Sequence, residues 1–206
     1  MQFKSSAPMK TIIRITFFAL LSIIVSCTKD SSTPTITETG SVTDIDGNSY
    51  KTIKIGGKWW MAENLNTKHF SDSSSIQEIK TNSDWAAASA SAYCQYDQNP
   101  LAPGLLYNWA AVNDTRKLAP AGWHIATDAD WKKLEVAAGM STADLDQNGW
   151  RGKGVAEALR MSSPEGWTVV SDVWSTNTTG FTALAGGCRL FDGRWSDPGL
   201  YATGFW

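Results

Sequence analysis

The sequence predicts an α+β domain with helices in the middle of the chain and short irregular strands at both ends. Ile53 and Ile55 alternate with Lys54, which is the period of a half-buried strand. Capped helical patterns follow in the middle, and the chain after Trp167 is β-prone and rich in glycine. Residues 42–206 are numerous enough for one domain with a full hydrophobic core.

The predicted strands are marked by their turns. An Asp-Gly-Asn turn signal at 46–48 lies between β-prone residues and predicts a hairpin over 42–55. Two glycines at 56–57 then reverse the chain again. Near the other end, an Asp-Gly pair predicts a turn within residues 189–195.

Three short helices are predicted from caps and spacing. Ser83 is placed to cap a helix over residues 85–92. Residues 104–112 present apolar side chains at helical spacing. A further short helix is predicted over 154–161, before the helix-breaking Pro164.

The clearest helix begins after Thr127. Thr127 and Asp130 form a capping-box pattern, although Asp is shorter than the usual Glu. Gly139 is placed to end the helix. The apolar residues between them have helical spacing: Trp131, Leu134 and Ala138.

The N-terminal residues resemble a bacterial lipoprotein export signal. Basic residues precede an apolar run at 15–25, which is shorter than the roughly 20 residues that a membrane span needs. The run ends in Ile-Val-Ser-Cys at 24–27, which is similar to the lipoprotein box, where the cysteine receives a diacylglyceryl group. This resemblance implies a cleaved signal at 1–26 and a lipid on Cys27 that anchors the protein to the outer membrane of the cell envelope. The alternative is a plain signal peptide with an accidental cysteine.

Composition restricts the partners. Residues 27–41 follow the signal, are rich in Thr and Ser, and are predicted to be a tether. Without residues 1–26 the chain has 15 basic and 20 acidic residues, a formal net charge of −5. This charge argues against nucleic acid as a partner. Because no polybasic segment remains, the membrane contact is expected through the lipid alone.

The residues that could carry out catalysis or bind a metal have ordinary structural explanations. His124 would need a positioned carboxylate and nucleophile to act as a base, and we expect it instead to hydrogen-bond inside the core beside the helix start. Cys94 and Cys188 are expected either to be bridged or to remain spare thiols. Residues 144–149 match the first half of a calcium loop, but Val155 stands where the bidentate Glu belongs. No metal and no cofactor are predicted.

All 11 tryptophans lie within residues 42–206. Those that are exposed would offer flat platforms for stacking carbohydrate, and the candidates are Trp85, Trp150, Trp167 and Trp195. One candidate role for Glu63 and Asn64 is to orient a sugar or peptide. We expect them to satisfy backbone groups at a turn, as polar side chains in such places usually do.

Four ordered motifs resemble one protein family, the Fibrobacter succinogenes major paralogous domain family. They are Trp-Met-Ala-Glu-Asn-Leu-Asn at 60–66, Leu-Tyr-Asn-Trp at 106–109, Gly-Trp-His at 122–124 running into the helix start, and Gly-Phe with Leu-Ala-Gly-Gly between 180 and 187. The resemblance implies a C-type-lectin-like fold over residues 42–206, an architecture shared with formylglycine-generating domains. It implies structural roles for the motif residues Trp60, Glu63, Asn64, Trp109, Trp123, His124 and Trp131.

The chain also departs from the family pattern. Ala119 stands where the family often has a cysteine, so the customary partner of Cys94 is missing. Family members continue through further strands that close the domain, whereas this sequence stops at Trp206. The resemblance therefore implies that the closing strands are missing and that the hairpin at 42–55 has an unpaired edge.

The function expected from these observations is that of a lipid-anchored, non-enzymatic envelope module that binds a glycan or a surface protein. One alternative is an enzyme of the formylglycine-generating type, which would need a second reactive thiol near Cys188. Another is a structural envelope protein without a specific ligand.

Overall fold

Short helices and two small sheets form the α+β fold that the sequence predicts. The computed structural model describes residues 38–96, 104–148, 151–162, 175–184 and 186–195. All of them belong to one unit, Ile36–Trp206. Among these described residues, no helix combines the length and apolar character needed to cross a bilayer. The predicted signal, Cys27, Trp150, Trp167 and the chain end at Trp206 lie outside the described residues.

The first sheet has three antiparallel strands in the order β1-β2-β3. β1 is Thr39–Thr43, β2 is Ser49–Ile55 and β3 is Lys58–Met61. The predicted hairpin and the glycine turn after it are therefore confirmed. Residues 39–41 belong to β1, so the domain begins earlier than the predicted tether boundary at residue 41 allows. All three residues are exposed, and the register of β1 pairs them with residues 51–53 of β2.

The turn between β1 and β2 is held by Asp44. Its Oδ1 accepts hydrogen bonds from the backbone N–H groups of Asp46 and Asn48, each at 2.9 Å. Its Oδ2 accepts from the Tyr50 hydroxyl at 2.5 Å. Burial and this neighbouring carboxylate raise the pKa of Tyr50. Gly47, at φ +85°, supplies the left-handed backbone that the turn requires.

Asp46 connects the same turn to the segment that follows β3. The Thr67 hydroxyl and the Lys68 backbone N–H donate to its Oδ2, and His69 Nδ1 lies 2.5 Å from its Oδ1. Burial raises the pKa of Asp46, but the hydrogen bonds from Lys68, His69 and Thr67 outweigh it and lower the pKa. Two adjacent carboxylates of one turn thus fix both the hairpin and its neighbour.

The second sheet contains β4 (Gln77–Glu78), β5 (Ala92–Cys94) and β6 (Leu106–Tyr107). β4 pairs with β5 in parallel, and β5 pairs with β6 in antiparallel fashion. The prediction of one helix over 104–112 is wrong, because its first half forms β6. A short helix, α2 (Trp109–Val112), follows that strand.

The helix between β4 and β5 was predicted with the wrong cap. α1 is Asn82–Ala87, and its N-cap is Thr81, whose side chain accepts from the backbone N–H of Asp84 at 3.1 Å. Ser83 lies inside the helix. The helix ends before residue 92 because Ala92 enters β5.

The helix predicted after Thr127 is confirmed as α3 (Asp128–Ala137), with both hydrogen bonds of the capping box present. Gly139 follows it at φ +105°. A 3-10 turn (Thr142–Asp144) leads on to α4 (Val155–Leu159), which lies within the range predicted for it.

The described residues form three hydrophobic clusters. The largest joins the first sheet to α3, α4 and the segment around Phe181. The second surrounds Phe70, and the third surrounds Trp85 and Cys94. Leu134 and Phe70 have no exposed surface. Truncating either to alanine is expected to cost about 3–5 kcal/mol.

Candidate functional site

Three aromatic motif residues meet in the largest cluster. The ring centroid of Trp60 lies 5.5 Å from that of Trp131 and 5.9 Å from that of Phe181. Gly180, at φ +73°, lets the chain pass close to the first sheet, since a Cβ there would stand 2.4 Å from Ile53 Cδ1. These motif positions therefore pack the core, with Trp60 and Phe181 buried and Trp131 half-buried.

Glu63 and Asn64 lie just after β3. The Glu63 carboxylate accepts a hydrogen bond from the backbone N–H of Lys51 at 2.6 Å. Gly104 packs against Asn64 so closely that a Cβ on Gly104 would lie 2.4 Å from the Asn64 Cβ. Both motif residues are thus engaged with neighbouring backbone.

Two of the four tryptophans named as stacking candidates are described, and the guanidinium of Arg189 contacts both rings. The guanidinium carbon lies 4.8 Å from the Trp85 ring centroid and 4.6 Å from that of Trp195. Trp85 is 8% exposed, and the edge of Tyr96 meets Trp195 at 5.2 Å. The expectation that Trp85 is an open platform is wrong, because the cation occupies that position.

The Arg189 guanidinium also connects the segment 186–195 to residues 79–82 at the start of α1. Arg189 donates to the carbonyl oxygens of Ile79 and Lys80, at 2.8 and 2.9 Å, and to that of Gly193 within its own hairpin at 3.2 Å. It also donates to Asn82 Oδ1 at 3.3 Å. A planar group with five donors suits this position, where several acceptors and two rings converge.

The Gly-Trp-His motif follows a tight turn. The backbone N–H of Trp123 donates to the carbonyl of Pro120 at 2.9 Å, and Gly122 has φ +82°. Trp123 is half-buried, whereas the His124 side chain is 65% exposed. The prediction of a hydrogen bond beside the helix start is right, but the expectation of a ring inside the core is wrong.

Asp130 collects the polar groups around the start of α3. Its carboxylate lies 2.9 Å from both His124 Nε2 and Lys58 Nζ and accepts from the hydroxyl and backbone N–H of Thr127. The hydrogen bonds from His124, Thr127 and Lys58 hold the pKa of Asp130 far below its usual range. The carboxylate therefore orients the imidazole. The Thr127 hydroxyl also donates to this carboxylate, so it is not directed toward a reacting group.

The half calcium loop uses its oxygens within the protein. Asp144 Oδ1 accepts from the Gln147 amide at 2.7 Å, and Asp146 pairs with Lys132 at 2.6 Å. Within the described ranges, no three His, Cys, Asp or Glu side chains are grouped to hold a metal ion.

Trp109 has a different environment from the buried motif residues. Its side chain is 74% exposed, although its motif position implied a structural role. The backbone beneath it is fixed by Asn108, whose Oδ1 accepts from the N–H groups of Ala92 and Ala111, each at 3.0 Å. The Asn108 amide also donates to the carbonyl of Ala90 at 2.8 Å. The Trp109 indole therefore projects into solvent from a backbone that the Asn108 hydrogen bonds hold in place.

Trp59 is a second exposed indole, and sequence analysis did not single it out. It is 43% exposed on the outer face of the first sheet, while its neighbour Trp60 is 8% exposed on the inner face. The alternation of β3 was the available signal, because adjacent strand residues point to opposite faces.

A shallow groove of about 250 Å³ lies beside the first turn, lined by Thr43, Asp44, Ile45, Ser71, Leu118, Ala119, Pro120 and Ala121. It is smaller than the range typical of small-molecule sites, roughly 300–1,000 Å³. The exposed indoles are therefore the stronger candidates for ligand contact.

In the part of the chain that the structure describes, the α+β fold has an aromatic core, an arginine that contacts two tryptophans, and two indoles open to solvent. The family model described as the Fibrobacter succinogenes major domain matches residues 53–206. The chain belongs to that family. Neither a curated protein nor a solved structure matches the chain.

Proposed function

We propose that this protein is a lipid-anchored protein of the cell envelope, held to the outer membrane, whose domain is a non-enzymatic binding module. The proposal for the anchor rests on the Ile-Val-Ser-Cys sequence that closes a short apolar run behind basic residues. A diacylglyceryl group on Cys27 gives durable attachment, because two buried acyl chains hold where one gives only marginal binding.

The single observation that supports a binding role is the exposure of Trp109 on a fixed backbone. Removing a large aromatic side chain from water lowers the free energy of the protein. An indole that stays 74% exposed forgoes this stabilisation unless a partner covers it. Trp59 adds a second such position. The ligand class that we propose is an envelope glycan or a surface protein.

For the architecture we propose the C-type-lectin-like arrangement. The short helices and two small sheets are compatible with it, and the family membership of residues 53–206 favours it. Lectin-like scaffolds serve many functions, so the scaffold by itself does not decide between binding and catalysis.

The non-enzymatic part of the proposal is supported by the site around His124. Asp130 orients the imidazole, but the hydroxyl of Thr127 donates to the same carboxylate and is not directed at a substrate. A general base needs a nucleophile or substrate proton within hydrogen-bond reach. The rival formylglycine-generating activity is tested with a cysteine-containing peptide as substrate: turnover that Cys188→Ser abolishes would favour the enzyme.

The anchor is tested by cell fractionation of a Cys27→Ser variant, with Cys188→Ser as the matched control. We expect Cys27→Ser to leave the membrane fraction and to lose labelling by a radioactive fatty acid. The control should keep both. Equal membrane retention and labelling of Cys27→Ser and wild type would overturn the anchor.

The binding role is tested with the mature chain immobilised from detergent and exposed to an envelope extract. We expect the wild-type chain to retain an extract component that a Trp59→Ala/Trp109→Ala double variant releases. Identical retention by the two proteins would contradict the binding module, provided that circular dichroism shows the same fold for both.

A further inference from the structure

The indole of Trp59 approaches the neighbouring strand of its own sheet. Its Cζ3 and Cη2 atoms lie 3.6 and 3.8 Å from the point where a Cβ on Gly40 would stand. Both are ordinary van der Waals distances, so the ring lies beside β1 at Gly40. Thr52, the strand partner of Gly40, is 3% exposed. One side of the indole is supported by the protein while 43% of the residue remains open to solvent.

Polar groups border this ring on the same face. Lys54 is the register partner of Trp59 across β2 and β3, which places their Cβ atoms about 5 Å apart. Lys54 Nζ is paired with Glu38 at 2.7 Å. The side chains of Lys54 and Glu38 are 35% and 55% exposed, so both retain capacity for further hydrogen bonds.

We infer that this face binds a pyranose ring of a glycan, with the sugar stacked on Trp59 and its hydroxyl groups bonded to Lys54 and Glu38. The inference rests on the proposed binding function and assigns its ligand class and position. A pyranose has one face of C–H groups and a rim of hydroxyls. The supported indole is complementary to the C–H face, and the neighbouring cation and carboxylate are complementary to the hydroxyl rim. An apolar peptide would instead leave the charged pair desolvated.

The chain between the proposed anchor and β1 is short. β1 begins at Thr39, only 12 residues after Cys27. A chain of that length spans at most about 40 Å. The sugar bound at Trp59 would accordingly belong to a glycan close to the membrane surface.

The test uses the mature full-length chain in detergent on a printed array of hexose and N-acetylhexosamine oligosaccharides, followed by affinity measurement with the best-bound oligosaccharide. We expect Trp59→Ala to weaken that binding about tenfold or more, as loss of a central aromatic contact does. Trp59→Tyr should restore most of the affinity. Lys54→Met keeps the apolar stem and should weaken binding severalfold.

The matched control is Phe191→Ala, which removes an 89% exposed ring from the hairpin at 189–195 and should bind like wild type. Unchanged thermal unfolding of each variant separates loss of contact from loss of fold. Wild-type affinity in Trp59→Ala, with loss in Trp109→Ala, would overturn this site and leave the binding module standing. A wild-type chain that binds no glycan, or whose bound partner is not displaced by free monosaccharide, would overturn the glycan assignment.

Discussion

The guanidinium carbon of Arg189 lies 4.6 Å from the ring centroid of Trp195 and 4.8 Å from that of Trp85 in α1. The same group donates to the carbonyl oxygens of Ile79 and Lys80. One side chain therefore joins the hairpin at 189–195 to a segment far away in sequence. This makes Arg189 a principal tertiary contact of the third hydrophobic cluster.

We predict that Arg189→Lys lowers the free energy of unfolding by about 2 kcal/mol, because an ammonium cannot serve two rings and several carbonyls together. Denaturant unfolding measures the change. Arg194→Lys is the matched control: the Arg194 side chain is 73% exposed and pairs with Asp192 in its own turn. Its effect should stay within about 0.5 kcal/mol. Equal effects of the two variants would contradict the role of Arg189.

Gly193 is predicted to be intolerant of a side chain for reasons of space. A Cβ there would lie 2.2 Å from the backbone oxygen of Asn82, and φ is +84°. Gly193→Ala should lower the free energy of unfolding by about 3 kcal/mol, which combines overpacking with left-handed strain.

Gly122→Ala is the control for that prediction, since Gly122 has φ +82° and no atom within 4 Å of the added Cβ. It should cost only about 1 kcal/mol, the strain alone. If thermal or denaturant unfolding gives the same loss for both variants, close packing against Asn82 is not the cause.

Asp130 is predicted to make stability depend on acidic pH. Hydrogen bonds from His124, Thr127 and Lys58 lower its pKa in the folded state below the ordinary value of 3.8. Its contribution is therefore present above about pH 4 and is lost as the pH falls toward the folded pKa. We expect Asp130→Asn to be less stable than wild type at pH 7, with a difference that shrinks below pH 4.

Asp128→Asn is the comparison for the Asp130 variant. Asp128 is 74% exposed at its side chain and pairs with Lys132. We expect a change of less than about 0.5 kcal/mol that varies little with pH. Denaturant unfolding from pH 2 to 8 gives both profiles. A constant difference between wild type and Asp130→Asn across that range would show that the charge of Asp130 is not responsible.

The turns and helix caps that could be predicted are formed by residues close together in the sequence. The turn at 46–48 needs a glycine and local carboxylates, and the start of α3 needs Thr127 and Asp130 three residues apart. Such interactions lie within one turn of chain, so residue order reveals them. The helix predicted over 104–112 failed because Asn108 bonds to Ala92 of another strand, and no local pattern encodes that contact.

Exposure of individual tryptophans was the least predictable property. Trp85 and Trp109 both follow polar residues in short helical segments, yet one is 8% and the other 74% exposed. Arg189, distant in sequence, occupies one face of Trp85. The exposure of Trp59 could have been predicted, because adjacent strand residues such as Trp59 and Trp60 point to opposite faces. Its contact with Gly40 could not, because that contact depends on the pairing of β1 with β2.

The lipid anchor is tested most directly by mass spectrometry of the mature N-terminal peptide isolated from membranes. We expect the peptide to begin at Cys27 and to carry the added mass of a diacylglyceryl group. A peptide that retains residues 1–26, or an unmodified Cys27, would contradict the lipid anchor and the envelope role that depends on it.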